Sequence, residues 1–217
     1  MKPILVIANK NYSSWSFRPW VLMRHFNIAF DEIVIPMGQE NTRAEMLRYS
    51  PAGKCPSLHD GKIAVWDSLA IIEYVAELHP EKPIWPRPRA ARAQARSLAA
   101  EMHSGFSALR GLLAMNMRRA VARRELTPEA SADVARLEQA FAQARREFGQ
   151  AGDFLFGDFS AADAMFAPVV NRLHVYDVTV TAATRTYMDT MMALPAWQDW
   201  NARAEAETWI IGKYEAA

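Results

Sequence analysis

The sequence predicts two unlike parts, an α/β half up to about residue 80 and an all-helical half from about residue 89. Three observations predict this division. In the first part, short β-type runs alternate with short runs of helical spacing. The segment HPEKPIWPRPR (79–89) then contains four prolines, which favour a stiff, extended linker. After it the β signal largely ends, and long segments rich in Ala, Arg, Glu and Leu follow.

The first part has the predicted order βαβ, helix, ββ, helix. ILVIA (4–8) is a continuous apolar run, which is typical of a strand buried on both faces. Asp60-Gly61 is a turn dipeptide between two short runs and predicts a hairpin. Periodicity, caps and proline stops predict the other elements: a helix over 16–27, a strand over 32–36, a helix over 42–48, the hairpin over 57–66, and a helix over 67–80 capped by Asp67 or Ser68.

The second part is predicted to contain about five helices. Their boundaries follow from Thr127-Pro128, from the segment SAAD (160–163) and from helical spacing. The predicted helices cover 89–124, 128–149, 160–176, 181–193 and 195–210. VYDVTVT (175–181) is the one place in this half where a strand is also compatible with the pattern.

Composition excludes several classes of partner. The chain has 25 Lys and Arg against 24 Asp and Glu, so no global field attracts nucleic acid or an anionic membrane. No uncharged apolar run approaches the ~18 residues of a membrane span, and the first residues lack a secretory pattern. The single cysteine, Cys55, forms no internal disulfide. We therefore expect a cytoplasmic protein with no nucleic-acid or membrane partner and no metal site.

Four segments carry a resemblance to a known family. SSWSFR (13–18), GKCPSL (53–58), DSLAIIEYV (67–75) and FSAADAMFAP (159–168) occur in this order and cover both halves. They resemble motifs of the cytosolic glutathione transferases, and the first resembles the S-S-C-x-x-R motif of the serine-type, zeta-like branch. Trp15 stands where that motif has cysteine. EMHSGFSALRGLLAMN (101–116) is similar to a segment of certain bacterial members.

The resemblance implies the glutathione transferase fold. This fold has a thioredoxin-like α/β N-terminal domain (βαβ-α-ββα), here residues 1–80, a linker over 81–88, and an all-α helical domain over 89–217. It also implies glutathione as co-substrate, a small-molecule electrophile and a homodimer.

The serines after the first strand are candidate catalytic residues. Taken alone, Ser13, Ser14 and Ser16 are helix caps, because serine before a helix accepts from its first N–H groups. In the family, a hydroxyl here stabilises the thiolate of glutathione. A pKa shift of two units requires about 2.7 kcal/mol, which a charge-assisted hydrogen bond and a helix dipole can supply. The resemblance assigns this role to Ser13, with Ser14 as the alternative, and leaves Ser16 as the N-cap.

The resemblance also implies glutathione-binding residues. Pro56 is cis in the family, and the main chain of Cys55 pairs with the cysteinyl backbone. Asp67 pairs with the γ-glutamyl ammonium, and Ser68 binds the γ-glutamyl carboxylate at a helix N-terminus. Lys54 either meets the glycyl carboxylate or is a solvated lysine. The Cys55 thiol itself has no predicted catalytic role.

The electrophile pocket is predicted to be apolar and lined by Trp15 and by a helical stripe of Met102, Phe106 and Leu109. The alternative is that the stripe packs in the core. His103 is interpreted as a helix-packing histidine, and Ser160 with Asp163 as a capping box. The zeta-like isomerases carry an arginine that matches His174, with Arg172 two residues away.

Three functions follow as hypotheses. The first is a transferase that adds the thiolate of glutathione to an apolar electrophile, or uses it for cis-trans isomerisation. The second is a non-catalytic binding module on the same fold. The third, a thiol-disulfide oxidoreductase, is disfavoured because no cysteine stands at the first helix.

Overall fold

The computed structural model describes residues 2–215, so residue 1 and residues 216–217 of the predicted domains lie outside the described part. It confirms an α/β half followed by a helical half. The elements are β1 Ile4–Ile7, α1 Ser14–His25, β2 Asp31–Val34, α2 Thr42–Leu47, β3 Ser57–Asp60, β4 Ile63–Trp66, α3 Ser68–Leu78, α4 Arg89–Ser104, α5 Ser107–Leu112, α6 Pro128–Phe148, α7 Ala161–Val175, α8 Ala182–Met192, α9 Pro195–Glu205 and α10 Gly212–Glu215.

The four strands form one mixed sheet in the order β2-β1-β3-β4. The central strand β1 pairs parallel with β2 and antiparallel with β3, and β4 continues the hairpin to the edge. Side chains alternate between the two faces of β1. Leu5 and Ile7 therefore enter the main core, while Val6 and Ala8 join a smaller core with Ile35. The continuous apolar run is explained by burial on both faces.

A single large core joins the two halves. Helix α7 is buried on almost every side and packs against α1 of the first half. Trp200 of α9 stacks on Phe17 of α1, with ring centroids 4.8 Å apart, and meets Trp20 edge-on. The end of β1 and the start of α1 are therefore held rigidly beside the helical half.

Several predicted boundaries differ from the structure, and three of them matter most. The helix expected over 89–124 ends at Ser104, because Phe106 has a left-handed backbone (φ 54°); only the short α5 follows before the chain extends. The last long helix ends at Glu205, not at 210. The first helix begins at Ser14, two residues early, and contains Ser16. The described residues 175–181 contain no strand.

The predicted capping box at α7 is present. Asp163 is fully buried and accepts hydrogen bonds from the Ser160 N–H and hydroxyl, both 2.9 Å. It also accepts from the Leu155 N–H and from the Tyr187 hydroxyl, both 3.1 Å. Burial raises the pKa of Asp163 to about 6, against the opposing effect of these donors.

None of the helices in residues 2–215 is both long enough and apolar enough to span a bilayer.

Candidate active site

Two connected cavities lie where the first half meets α4 and α5. The larger has a volume of about 850 Å³ and the smaller about 450 Å³. Both are lined by Trp15, Lys54, Cys55 and His103, so together they form one cleft. Within the described residues, no group of three or more His, Cys, Asp or Glu side chains is placed to hold a metal ion.

Ser13 and Ser14 line the larger cavity at the N-terminus of α1. Ser13 is the N-cap residue, but its side chain forms no capping hydrogen bond. Its hydroxyl instead bonds to Ser16 Oγ over 2.7 Å, and Ser16 Oγ accepts the Ala8 N–H over 3.1 Å. The prediction that Ser16 caps the helix is therefore wrong, because Ser16 ties α1 to the end of β1. Ser13 is left facing the cavity.

Asp67 and Ser68 line the smaller cavity at the N-terminus of α3. Asp67 caps the helix, with Oδ1 accepting the Leu69 N–H over 2.9 Å. Its backbone has φ 79°, a strained conformation for a residue with a Cβ. Ser68 Oγ is buried and has no hydrogen-bond partner among the described residues. The orphaned Ser50 Oγ, which sequence reasoning missed, also lines this cavity.

The loop before β3 supplies the wall shared by the two cavities. The Cys55–Pro56 bond is cis, as predicted, and Pro56 lines the smaller cavity. The main chain of Cys55 forms no hydrogen bond within the described part of the chain. Burial raises the pKa of the Cys55 thiol to about 12, so the thiol stays protonated. Lys54 is exposed and borders both cavities.

His103 contacts the site directly, which corrects its interpretation as a packing residue. Its Nε2 lies 3.4 Å from Asp67 Oδ2, and its ring meets Trp15 edge-on at 5.1 Å. Its Nδ1 has no hydrogen-bond partner in residues 2–215. His103 thus links the helical half to the capping residue of α3.

Three arginines lie close together beside the larger cavity. Arg110 and Arg172 line it, and the guanidinium carbons of Arg18 and Arg110 lie 4.2 and 5.0 Å from the Trp15 ring centroid. Burial, with the nearby charges of Arg172 and Arg110, lowers the pKa of Arg18 to about 9. Burial and Arg110 lower that of Arg172 to about 10. His174 lies elsewhere, so Arg172 is the residue of this helix that reaches the cleft.

The predicted apolar stripe does not line the cleft. Met102 and Leu109 are fully buried in the core, and Phe106 packs edge-on against Phe166 at 6.3 Å. The left-handed residue Phe106, just after α4, turns the stripe towards α7. The cavity is therefore lined by other residues of the same stretch, Ser104, Ser107 and Arg110. Trp15 is the one member of the predicted pocket that lines it.

We expect Phe106→Ala to behave as a core substitution. It should lower the free energy of unfolding by about 3–5 kcal/mol, because it leaves a void against Phe166. Selectivity among electrophiles should stay unchanged. The matched variant Trp15→Ala should change selectivity with a smaller loss of stability. Chemical denaturation measures the loss of stability, and initial rates with several electrophiles measure selectivity. A change of selectivity in Phe106→Ala would show that Phe106 does contribute to the electrophile pocket.

The C-terminal segment completes the larger cavity, which sequence reasoning did not predict. Lys213 and Tyr214 line it, and Tyr214 lies 5.6 Å from the Tyr12 ring. The segment is anchored by Glu207, whose carboxylate accepts the N–H groups of Lys10 and Asn11 at 2.6 and 3.0 Å. Arg118 donates to the Trp209 carbonyl over 2.8 Å.

Two family models match the chain and together span most of it. The model "Glutathione S-transferase, N-terminal domain" matches residues 12–78, and "Glutathione S-transferase, C-terminal domain" matches residues 120–203. The chain belongs to the cytosolic glutathione S-transferase superfamily. The first match contains the serines, the Cys55 loop and the Asp67-Ser68 pair, and the second contains the capping box of α7.

Curated relatives cover part of the chain. A "Probable maleylacetoacetate isomerase" of Caenorhabditis elegans is 29% identical over 117 residues, 54% of this chain and 53% of that protein. A "Glutathione S-transferase zeta class" of Euphorbia esula is 30% identical over 117 residues, 53% of this chain and 52% of that protein. The chain thus spans about half the length of the curated relatives it matches.

Solved structures of the superfamily share the whole fold. A glutathione transferase homologue from Burkholderia, with bound glutathione, has a TM-score of 0.74 at 20% identity and covers 95% of this chain and 100% of that one. A diazinon-metabolizing glutathione S-transferase of the silkworm Bombyx mori also has a TM-score of 0.74, at 15% identity, covering 95% and 98%. At these identities the likeness concerns the fold alone.

Proposed function

We propose that this chain is a serine-type glutathione transferase that binds glutathione along the cleft and activates its thiol at Ser13. The observation that carries this proposal is the orphaned, buried Ser68 hydroxyl at the start of α3, in the same cleft as Ser13. A buried hydroxyl without a hydrogen-bond partner destabilises the protein, and a ligand that bonds to this hydroxyl removes the penalty on binding.

Each part of glutathione finds a complementary group. The γ-glutamyl carboxylate pairs with the Ser68 hydroxyl at the N-terminus of α3, where the helix dipole favours an anion. Asp67 Oδ2, which does not cap the helix, pairs with the ammonium group. The unpaired main chain of Cys55 binds the cysteinyl backbone as an added strand would. Lys54 meets the glycyl carboxylate at the mouth of the cleft.

The serine network supports thiolate formation. In the structure Ser16 Oγ accepts both the Ser13 hydroxyl and the Ala8 N–H. When glutathione is bound, the Ser16 hydroxyl turns to donate its own proton to Ser13 Oγ. Ser13 then donates its proton to the thiolate, since a hydroxyl rotates to suit its partners. The positive end of the α1 dipole adds to this stabilisation. The activated sulfur attacks an electrophilic carbon held in the larger cavity.

Isomerisation through a reversible adduct is the second candidate reaction. The position of Arg172 favours it. The arginine of the zeta-like isomerases aligns with His174 in the sequence, but in the structure Arg172 lines the larger cavity and His174 does not. The names of two relatives, an isomerase and a zeta-class transferase, support testing it. A thiol-disulfide reaction is disfavoured, because the one cysteine, Cys55, is half-buried and its raised pKa of about 12 keeps the thiol protonated.

Retention on immobilised glutathione, followed by a panel of electrophiles, tests this function. The protein should be retained and should turn over at least one electrophile. Ser68→Ala should weaken glutathione binding by about 10-fold, since a hydrogen bond to a charged group contributes ~1.5–3 kcal/mol. Ser97→Ala, at an exposed position of α4 outside the cleft, is the matched control. Retention without turnover would indicate a binding module, and no retention would contradict the proposal.

We also propose a cytoplasmic homodimer. Strand β4 is one of the two edges of the sheet, and Ile63 and Trp66 on it are 51% and 46% exposed. A second copy covering this strand removes that apolar surface from water. Sedimentation should give a dimer at micromolar concentration, and Ile63→Lys should shift it towards monomer. Ile210→Lys, at another exposed apolar site, should not. A monomeric wild-type protein would contradict the dimer.

A further inference from the structure

We propose that His103 of α4 is a positioning residue, which orients the Asp67 carboxylate for the γ-glutamyl ammonium group of glutathione. This inference rests on the proposed function, in which Asp67 pairs with that ammonium group. It gives the helical half a part in a binding subsite that is otherwise built by the first half of the chain.

His103 is the one contribution of the helical half to the smaller cavity within the described part of the chain. The other described residues that line this cavity all lie between positions 15 and 68. His103 also lines the larger cavity, so its side chain lies where the two cavities meet. A change at this residue therefore alters the glutathione side of the cleft as well as the helical half.

The end of α4 fixes the backbone of His103. Arg110 Nη1 donates to the His103 carbonyl over 3.3 Å and to the Gly105 carbonyl over 2.9 Å. Gly105 follows the helix at a point where a Cβ would lie 2.8 Å from the Glu101 carbonyl oxygen, which is too close for a larger residue. Met102, the preceding residue, is fully buried. The imidazole of His103 is thus presented to the cleft from a rigid point of the fold.

Two neighbours orient the imidazole ring. Trp15 meets it edge-on, with ring centroids 5.1 Å apart and an angle of 72° between the planes. Its Nε2 lies 3.4 Å from Asp67 Oδ2, and its Nδ1 is buried without a hydrogen-bond partner in residues 2–215. Because an ionised carboxylate only accepts hydrogen bonds, the tautomer with its hydrogen on Nε2 fits this arrangement. The ring therefore directs its one N–H at the carboxylate.

The conformation of Asp67 depends on contacts from more than one side. Its φ of 79° is unfavourable for a residue with a Cβ, and such a conformation persists only where the surroundings fix it. On one side, Oδ1 accepts the Leu69 N–H over 2.9 Å. On the other side, Oδ2 faces the imidazole of His103.

The same oxygen can hold the imidazole and the ammonium group together. A carboxylate oxygen has two acceptor positions, so the N–H of His103 leaves one of them for the ligand. Contacts in a binding site, such as this one of 3.4 Å, commonly shorten when the substrate binds. His103 thus holds Asp67 Oδ2 in place without competing for its second acceptor position.

Two ligands that differ only in the ammonium group test this inference by calorimetry. Glutaryl-cysteinylglycine is glutathione with a hydrogen atom in place of that group, and it keeps both carboxylates and the thiol. The wild-type protein should bind glutathione on the order of 10-fold more tightly than this analogue. His103→Ala should reduce the preference to about 2-fold, with the Kd of the analogue nearly unchanged. The His103 side chain is 31% exposed, so its replacement should leave the protein folded.

A conservative variant and a control variant accompany this measurement. His103→Gln should retain most of the preference, because its amide N–H can take the place of Nε2–H. His79→Ala is the matched control and should keep the wild-type preference. His79 Nδ1 also lies 3.4 Å from a carboxylate, that of Glu81, but His79 lines neither cavity.

A double-mutant cycle shows whether His103 acts through Asp67. Asp67→Asn keeps a residue that can cap α3 but removes the charge that attracts the ammonium group. In this background His103→Ala should not change the ligand preference further, because the two residues share one interaction. A further loss of preference as large as that in the wild-type background would overturn the action through Asp67.

The outcomes separate this inference from the proposed function. An unchanged preference in His103→Ala, or an equal loss of affinity for both ligands, would overturn the positioning role. Equal binding of the two ligands by the wild-type protein would also overturn it, while the binding of glutathione itself would stand. If neither ligand binds to the wild-type protein, the proposed function is wrong.

Discussion

Replacing Ser13 with alanine is expected to lower kcat about 100-fold while changing the Kd of glutathione little. In the proposed binding mode the hydroxyl stabilises the thiolate, while Cys55, Asp67 and Ser68 hold the peptide. A pKa rise of about two units, or ~2.7 kcal/mol, removes most of the thiolate near neutral pH. A loss confined to kcat indicates an interaction specific to the reacting sulfur. Titration of the bound thiol by ultraviolet absorbance gives the pKa directly.

Ser14→Ala is the matched control for this prediction. Ser14 lies in the same cavity at the first position of α1, but no hydrogen bond links it to Ser16 or to Ala8. Its replacement should leave the thiol pKa and kcat nearly unchanged. An unchanged titration in Ser13→Ala together with an inactive Ser14→Ala would transfer the role to Ser14. Thermal melting shows that neither variant has lost its fold.

Asp163→Ala is expected to lower the free energy of unfolding by about 4 kcal/mol. The substitution leaves the buried N–H groups of Leu155 and Ser160 and the Tyr187 hydroxyl without an acceptor. Each unsatisfied buried donor costs about 1–3 kcal/mol. Urea denaturation measures the free energy of unfolding. Glutathione binding by the folded fraction should be unchanged, because Asp163 lines neither cavity.

Ser160→Ala provides the comparison. It removes a hydroxyl that caps α7, and caps contribute ~1 kcal/mol. The backbone N–H of residue 160 keeps its acceptor in this variant. Equal losses in Asp163→Ala and Ser160→Ala would show that Asp163 acts only as a helix cap and that its bonds to Leu155 and Tyr187 contribute nothing.

Residues next to recognisable local motifs could be predicted from the sequence. Asp67 and Ser68 precede a helix that ends at a proline, and the structure places both in the cleft as expected. The hairpin at Asp60-Gly61 and the capping box at Ser160 likewise depend on residues close in sequence. Each of these features depends on residues within a few positions of one another, so a short stretch of sequence was enough to predict it.

Features that depend on distant contacts could not be predicted. Ser13, Ser14 and Ser16 are equivalent as caps in the sequence. The Ala8 N–H, directly after β1, donates to Ser16 and so distinguishes it from the other two. The stripe of Met102 and Phe106 has helical spacing, but the left-handed turn at Phe106 directs it into the core. Arg110, in the segment HSGFSALR, was the residue from which the sequence could have located the arginines beside the larger cavity.

A crystal structure of the protein with bound glutathione is the decisive experiment for the proposed site. We expect the glutathione sulfur to lie within hydrogen-bond distance of Ser13 Oγ, with Ser16 Oγ still hydrogen-bonded to Ser13. We also expect the Ser68 hydroxyl to bind the γ-glutamyl carboxylate. Glutathione bound outside this cleft, or bound with its sulfur against another group and not against Ser13, would show that the proposed site is wrong.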